Sequence, residues 1–122
     1  MRDPTSDIDP DRDYLREQIR KLVELVARLL GRDPGDPETA HARDQLAAAA
    51  GQLLGHPYDV LERLAPDSVA LLLGRDPERM RVYAEMVAAE SRIARHTGDE
   101  LLARRLDMRA QALLALAARQ EV

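Results

Sequence analysis

The hexapeptide Leu29-Leu30-Gly31-Arg32-Asp33-Pro34 (LLGRDP) recurs letter for letter at Leu72–Pro77. Three readings compete: the period of a repeat protein, a phosphate-binding loop, and the punctuation between helices. Glycine after a leucine pair is a helix stop, because it takes the left-handed conformation of the C′ position at little cost. In the second copy Asp76 can cap the next helix, Pro77 suits its first position and Glu78 suits the positive helix start. In the first copy Gly35 intervenes, and the matching start is Asp36-Pro37-Glu38. The glycines therefore stand 43 residues apart and the starts 40. A repeat keeps one period. At the 40-residue offset the following helices share only Ala48 with Ala88 and Ala49 with Ala89 as identities near their middles. No GxxxxGK[ST] surrounds either glycine and no strand leads into it, so a phosphate loop fits less well than either other reading. Punctuation is the reading that stands, and it divides the chain into helices.

Before the first copy, Leu15, Ile19, Leu22, Val26 and Leu29 alternate at four and three, a helical seam. Val23, Leu25 and Leu30 widen the stripe beyond a coiled-coil seam. Arg16, Glu17, Arg20, Lys21, Glu24 and Arg28 occupy the other face. This helix starts near Pro10 or Asp13 and stops at Gly31. Further helices are predicted at Pro37–Leu54, Asp59–Leu64, Pro66–Leu73, Pro77–Thr97 and Asp99–Ala118. Only Gly98 separates the last two, so they form an antiparallel hairpin. The expected fold is all-α: a small antiparallel bundle of about five to six helices over residues 11–122, behind a disordered acidic tail at 1–10.

Composition agrees. The chain has 122 residues, enough for one core without staples. It contains no Cys, Trp or Phe, and its only aromatics are Tyr14, Tyr58 and Tyr83. Disulfides, thiol nucleophiles and thiolate metal sites are thereby excluded. The formal charge is −4, and no segment has a marked basic excess. Nucleic acid is thus not an expected partner, since neither the charge nor a stacking platform is present. No stretch reaches the roughly 18 apolar residues of a membrane span. The opening MRDPTSDIDPDRD lacks the apolar core of a secretory signal. The expectation is a cytoplasmic protein with no membrane partner.

Gly98-Asp99 is followed by Ala103 five residues after the glycine and Ala110 seven further on, with Ser91 seven before it. This pattern resembles the core of the tetratricopeptide repeat, in which small residues let the two helices of a unit press together. The aromatic positions usual to that repeat are absent, and there is one unit where an array needs at least about three. The resemblance implies a tetratricopeptide-like hairpin closing a small bundle. The chain as a whole resembles an uncharacterised family of short all-helical bacterial proteins, a domain of unknown function. The matching residues are Asp13-Tyr14, Ile19, Leu22, Ala27-Arg28-Leu29-Leu30-Gly31, Leu53-Leu54-Gly55, the segment from Leu64 to Leu73, and the hairpin around Glu90 and Gly98. That resemblance implies an all-helical fold and transfers no activity, cofactor or catalytic residue.

Residues capable of chemistry are scattered. His41, His56 and His96 form none of the helical spacings that place two ligands on one face. Asp3, Asp7, Asp9, Asp11 and Asp13 alternate without the glycine or terminal glutamate of a calcium loop. Glu90 is different. It falls on the apolar face of its helix, where a carboxylate needs a partner. Arg105 and Arg109 on the adjacent helix are the expected ones, as structural buried polar groups. Arg92, Arg95, Arg104 and Arg105 group at the hairpin turn and can receive carboxylate or phosphate. With no second acid, base or nucleophile aligned with Glu90, the sequence predicts no enzyme, metal or cofactor. It predicts a protein-interaction or self-associating module, a possible homodimer. The contact residues are Leu15, Ile19, Leu22 and Val26 on the first helix, with the four arginines as a second surface. The alternative is a small-molecule or metal-handling protein with a polar centre at Glu90.

Overall fold

The computed structural model describes residues 13, 14, 17, 18, 20, 21, 24, 28 and 37–121. It is all-helical, with no strand among the described residues. The helices are α1 (Pro37–Leu54), α2 (Tyr58–Arg63), α3 (Pro66–Leu72), α4 (Pro77–His96) and α5 (Glu100–Gln120). Asp13, Tyr14, Glu17, Gln18, Arg20, Lys21, Glu24 and Arg28 are also helical. Arg20 there bridges Glu17 at 2.6 Å and Glu24 at 2.7 Å, on the charged face of the sequence. Leu15, Ile19, Leu22, Val26, the first LLGRDP and the tail 1–10 lie outside the described residues.

The second LLGRDP is half stop and half start. Gly74 has φ +70°. Its N–H donates to Leu71 O at 3.0 Å, and the N–H of Arg75 donates to Ala70 O at 2.8 Å. These two bonds are the Schellman arrangement, which satisfies the last carbonyls of α3. Asp76 then accepts from the N–H of Glu78 at 3.0 Å, and Pro77 opens α4. The same device recurs in compressed form at Thr97-Gly98-Asp99. Gly98 has φ +90° and donates to Arg95 O at 3.2 Å, while Asp99 N–H donates to Ala94 O at 2.8 Å. Asp99 also caps α5 by accepting from Leu102 N–H at 3.1 Å. One residue thus ends one helix and begins the next. Pro57 and Pro66 separate the short helices. Leu64 and Ala65 are extended between them, as the residue before a proline prefers.

α4 is the central element, buried on several sides by Met80, Val82, Tyr83, Ala84, Met86, Val87, Ala89, Ile93 and Ala94. It packs on α5 along its length and on α1, while α3 packs on α5 and α2 on α1. Cross-helix pairs show the antiparallel direction of α4 and α5: Arg81 meets Glu121 at one end, and Arg95 meets Glu100 at the other. Ala103, Ala110 and Ala117 recur every seven residues on α5, all buried. Ser91 lies opposite Ala103, and the same register brings Ala84 level with Ala110. Small residues on both sides let the helices approach closely. Leu54, Leu61, Val69, Leu73 and Leu113 close the core around Met80, Tyr83 and Val87.

Candidate functional site: a basic apolar helix face and the buried polar groups behind it

A polar knot ties α2 to the hairpin. The Tyr58 hydroxyl donates to Glu90 Oε2 in a close contact. The rings of Tyr58 and Tyr83 meet edge-on with centroids 6.0 Å apart. The Arg109 guanidinium lies 5.5 Å from the centroid of Tyr83 and donates to its hydroxyl at 2.9 Å. Arg109 also donates to the carbonyls of Leu61 at 2.6 Å and Leu64 at 2.7 Å. Those carbonyls belong to the C-terminal end of α2, where unsatisfied acceptors and the negative dipole end favour a cation. Arg109 therefore caps α2 from the other end of the sequence. Its Nε is buried without a hydrogen-bond partner among the described residues. Burial pushes the Tyr58 hydroxyl well above its usual pKa, and the charge of Glu90 adds to the shift. Burial also raises Tyr83, against the opposing pull of Arg109.

The sequence expected Glu90 on an apolar face with Arg105 or Arg109 as its partner; Glu90 is half-buried. The structure brings Tyr58 to Glu90 and sends Arg109 to Tyr83 and the α2 carbonyls. Arg105 is exposed. The only advance sign of Tyr58 was its position, a lone aromatic directly after Pro57.

A second cluster holds the turn end of the hairpin. Ser91 is fully buried; its hydroxyl lies 3.0 Å from Ala103 O and close to Asp107 Oδ1, between two acceptors. Arg95 joins Asp107 at 2.8 Å and Glu100 at 3.2 Å. The Ser91 hydrogen bond, followed by that of Arg95, holds Asp107 below the usual carboxylate range. Of the four arginines expected to form one basic surface, Arg95 is thus engaged within the hairpin. Arg92, Arg104 and Arg105 are exposed, with Arg104 Nε 3.8 Å from Glu100.

On the outward face of α5 the sequence singled out Arg104 and Arg105, but not the apolar residues between and beyond them. Leu101 is 64% exposed and Met108 73%. Ala115 continues their seven-residue spacing and is exposed too. At 100° per residue, Arg104, Arg105, Gln111, Ala112 and Arg119 share the same arc, and Leu116 at its edge packs against the core. No carboxylate lies on it. Arg105 and Arg119 make no ion pair among the described residues.

Beside Tyr58 runs a wide, open groove of about 450 Å³ lined by Ala47, Ala48, Gly51, Gly55, His56 and Pro57. His56 Nε2 donates to Leu72 O at 3.1 Å and so ties this turn to the end of α3. Among the described residues no three His, Asp or Glu side chains gather where a metal ion would fit. No described helix is long and apolar enough to cross a membrane. No protein-family model matches the chain, and neither a curated protein nor a solved structure matches it.

Proposed function

We propose that this protein is a non-enzymatic, cytoplasmic interaction module. It is a bundle of about five to six helices closed by a tetratricopeptide-like hairpin, and it acts by binding another protein or a second copy of itself. The observation that carries this reading is the outward face of α5, where two large apolar side chains stand in water one heptad apart. Single exposed apolar residues are ordinary on soluble proteins, but an aligned set on one helix marks a contact surface. The buried Ser91, Ala103 and Ala110 support the likeness of the hairpin to one tetratricopeptide unit.

The first test is the solution mass of the purified chain by light scattering across a concentration series, with and without Met108→Glu. A dimer that this change dissociates, or a monomer that loses binding of a helical peptide on the same change, supports the reading. A monomer that binds no helical peptide overturns it.

A second reading, a small-molecule protein centred on Glu90, has one observation in its favour. The groove beside His56 runs over Tyr58, whose hydroxyl holds Glu90. It requires a ligand that raises the melting temperature of the wild type and not of Tyr58→Phe.

A further inference from the structure

We infer that the outward face of α5 seats an amphipathic helical segment of a different protein, apolar along its middle and acidic along its edges. This rests on the interaction reading and names the partner for that surface. Leu101, Arg105, Met108, Ala112, Ala115 and Arg119 alternate at four and three, the spacing of a helix–helix seam. The 18 steps from Leu101 to Arg119 make about 27 Å of helix, five turns. Ala112 and Ala115 allow close approach at the C-terminal half. Leu101 and Met108 project as knobs at the other, and methionine adapts to uneven surfaces.

Charge selects the occupant. The whole chain carries −4, yet this arc holds Arg104, Arg105 and Arg119 and no acid. A second copy laid on the same face would bring three further arginines and, at the edge, only Glu100, which already stands 3.8 Å from Arg104. A segment bearing Glu or Asp beside its apolar stripe meets all three, and arginine forks match carboxylates in geometry as well as sign. Seating a helix by spaced apolar anchors in this way is a recurrent mode of recognition.

The probes are two labelled synthetic helical peptides of about 20 residues. Both carry Leu and Ala on one stripe; one has Glu along the flanks and the other Lys. Each is titrated into the full chain at low ionic strength and followed by fluorescence anisotropy. The Glu-flanked peptide should bind at least about tenfold more tightly than the Lys-flanked one, and salt should weaken it. The double change Arg104→Glu, Arg105→Glu should remove that preference, and Met108→Glu should weaken binding by about tenfold or more. Circular dichroism melting should confirm that all variants stay folded. Equal binding of both peptides, or no effect of the charge reversal, overturns the inference. If light scattering shows a dimer that Met108→Glu dissociates, a second copy covers the face. The inference then fails and the interaction reading stands. If neither peptide binds a chain that is monomeric throughout, both fail.

Discussion

Arg109 and Leu61 are 48 residues apart in the chain, and the guanidinium of one donates to the backbone carbonyl of the other at 2.6 Å. A six-residue helix such as α2 is too short to be stable alone. Its last carbonyls face the half-buried junction with the hairpin, where that of Leu61 accepts one backbone bond, from Leu64 N–H at 3.2 Å. Arg109 adds a second donor to the Leu61 carbonyl, donates to that of Leu64, and brings a positive charge to the negative end of the helix. Arg109→Met keeps the length of the side chain and removes every donor. It should destabilise the fold by about 2–3 kcal/mol, the range for lost charge-assisted hydrogen bonds in a partly buried site. Arg109→Lys should recover less than half of that, because one ammonium does not reproduce the planar fork. Urea unfolding midpoints of the three proteins check both statements.

Tyr58 and Tyr83 set the behaviour in alkali. Both hydroxyls have pKa values raised above the ordinary tyrosine value near 10 by burial. A group whose folded pKa lies above its unfolded one contributes stability that is complete below the unfolded value and is lost as pH rises. Stability should therefore be flat in this respect up to about pH 10 and then fall with increasing pH. Tyr58→Phe should make the fall shallower, while costing about 1–2 kcal/mol at pH 7 through the lost hydrogen bond to Glu90. Unfolding free energies measured from pH 8 to 11.5 check the slope. An equally steep fall in Tyr58→Phe would show that Tyr58 is not its source.

Asp107 governs the acid side. Ser91 and Arg95 hold its pKa below the usual value, so its contribution is present above the unfolded pKa. That contribution is lost as pH falls through the lowered folded value, a window that opens at about pH 4 and extends downward. Asp107→Asn should flatten the stability profile between about pH 5 and pH 2. Two-dimensional NMR titration of the Asp107 carboxyl gives the folded value directly.

Ser91 tests packing as well as polarity. Ser91→Ala removes one buried hydroxyl and should cost about 1 kcal/mol. Ser91→Leu inserts a side chain where the hydroxyl already stands 3.0 Å from the Ala103 carbonyl. It should cost about 3 kcal/mol or prevent folding, because the two helices have no room to separate locally. Thermal melts of both variants distinguish a polar contribution from a steric one.

The turns make opposite predictions at two positions. Gly98, at φ +90°, is strained by any side chain, so Gly98→Ala should lose about 1 kcal/mol. Arg75 holds φ +55° without being glycine. Arg75→Gly should gain a few tenths to about 1 kcal/mol, since a left-handed non-glycine residue costs about 1–2 and glycine gives back part in chain entropy. Denaturant midpoints should move in opposite directions for the two substitutions.

The sequence made the local grammar legible. Pro37 and Leu54 bound α1 as expected from Asp-Pro-Glu and Gly55, and α4 begins at Pro77 behind Asp76. The other ends differ by one or two residues: α2 starts at Tyr58 and stops before Leu64, and α5 runs on to Gln120. Those shifts fall where capping residues sit half inside the helix. Ser91, Ala103 and Ala110, the small positions on which the tetratricopeptide resemblance rested, are buried. The partners of Glu90 and Arg109 were not legible. Tyr58 reaches Glu90 across 32 positions by way of a two-proline path that no local spacing encodes. Arg109 binds backbone carbonyls, which every residue possesses and no letter announces. The apolar residues on the outward face of α5 escaped for a related reason, although Arg104 and Arg105 beside them were expected contact residues. Leu101 and Met108 are as apolar as core residues, and only the placement of α3 and α4 shows which leucines of α5 are covered.

The fused turn at Gly98-Asp99 also bears on the order of assembly. Three residues close α4 onto α5, so the largest helix–helix interface among the described residues is made of contacts near in sequence, which form quickly. α1, α2 and α3 reach that hairpin only through distant contacts such as Tyr58 to Glu90 and Arg109 to Leu61. The hairpin is thus the unit that can exist first and dissolve last, and the polar knot is the latch that closes over it. Native-state amide exchange should report two tiers: slowest around Ser91, Ala103 and Ala110, and faster in α2. Arg109→Met should lower the second tier toward free exchange while leaving the first nearly in place.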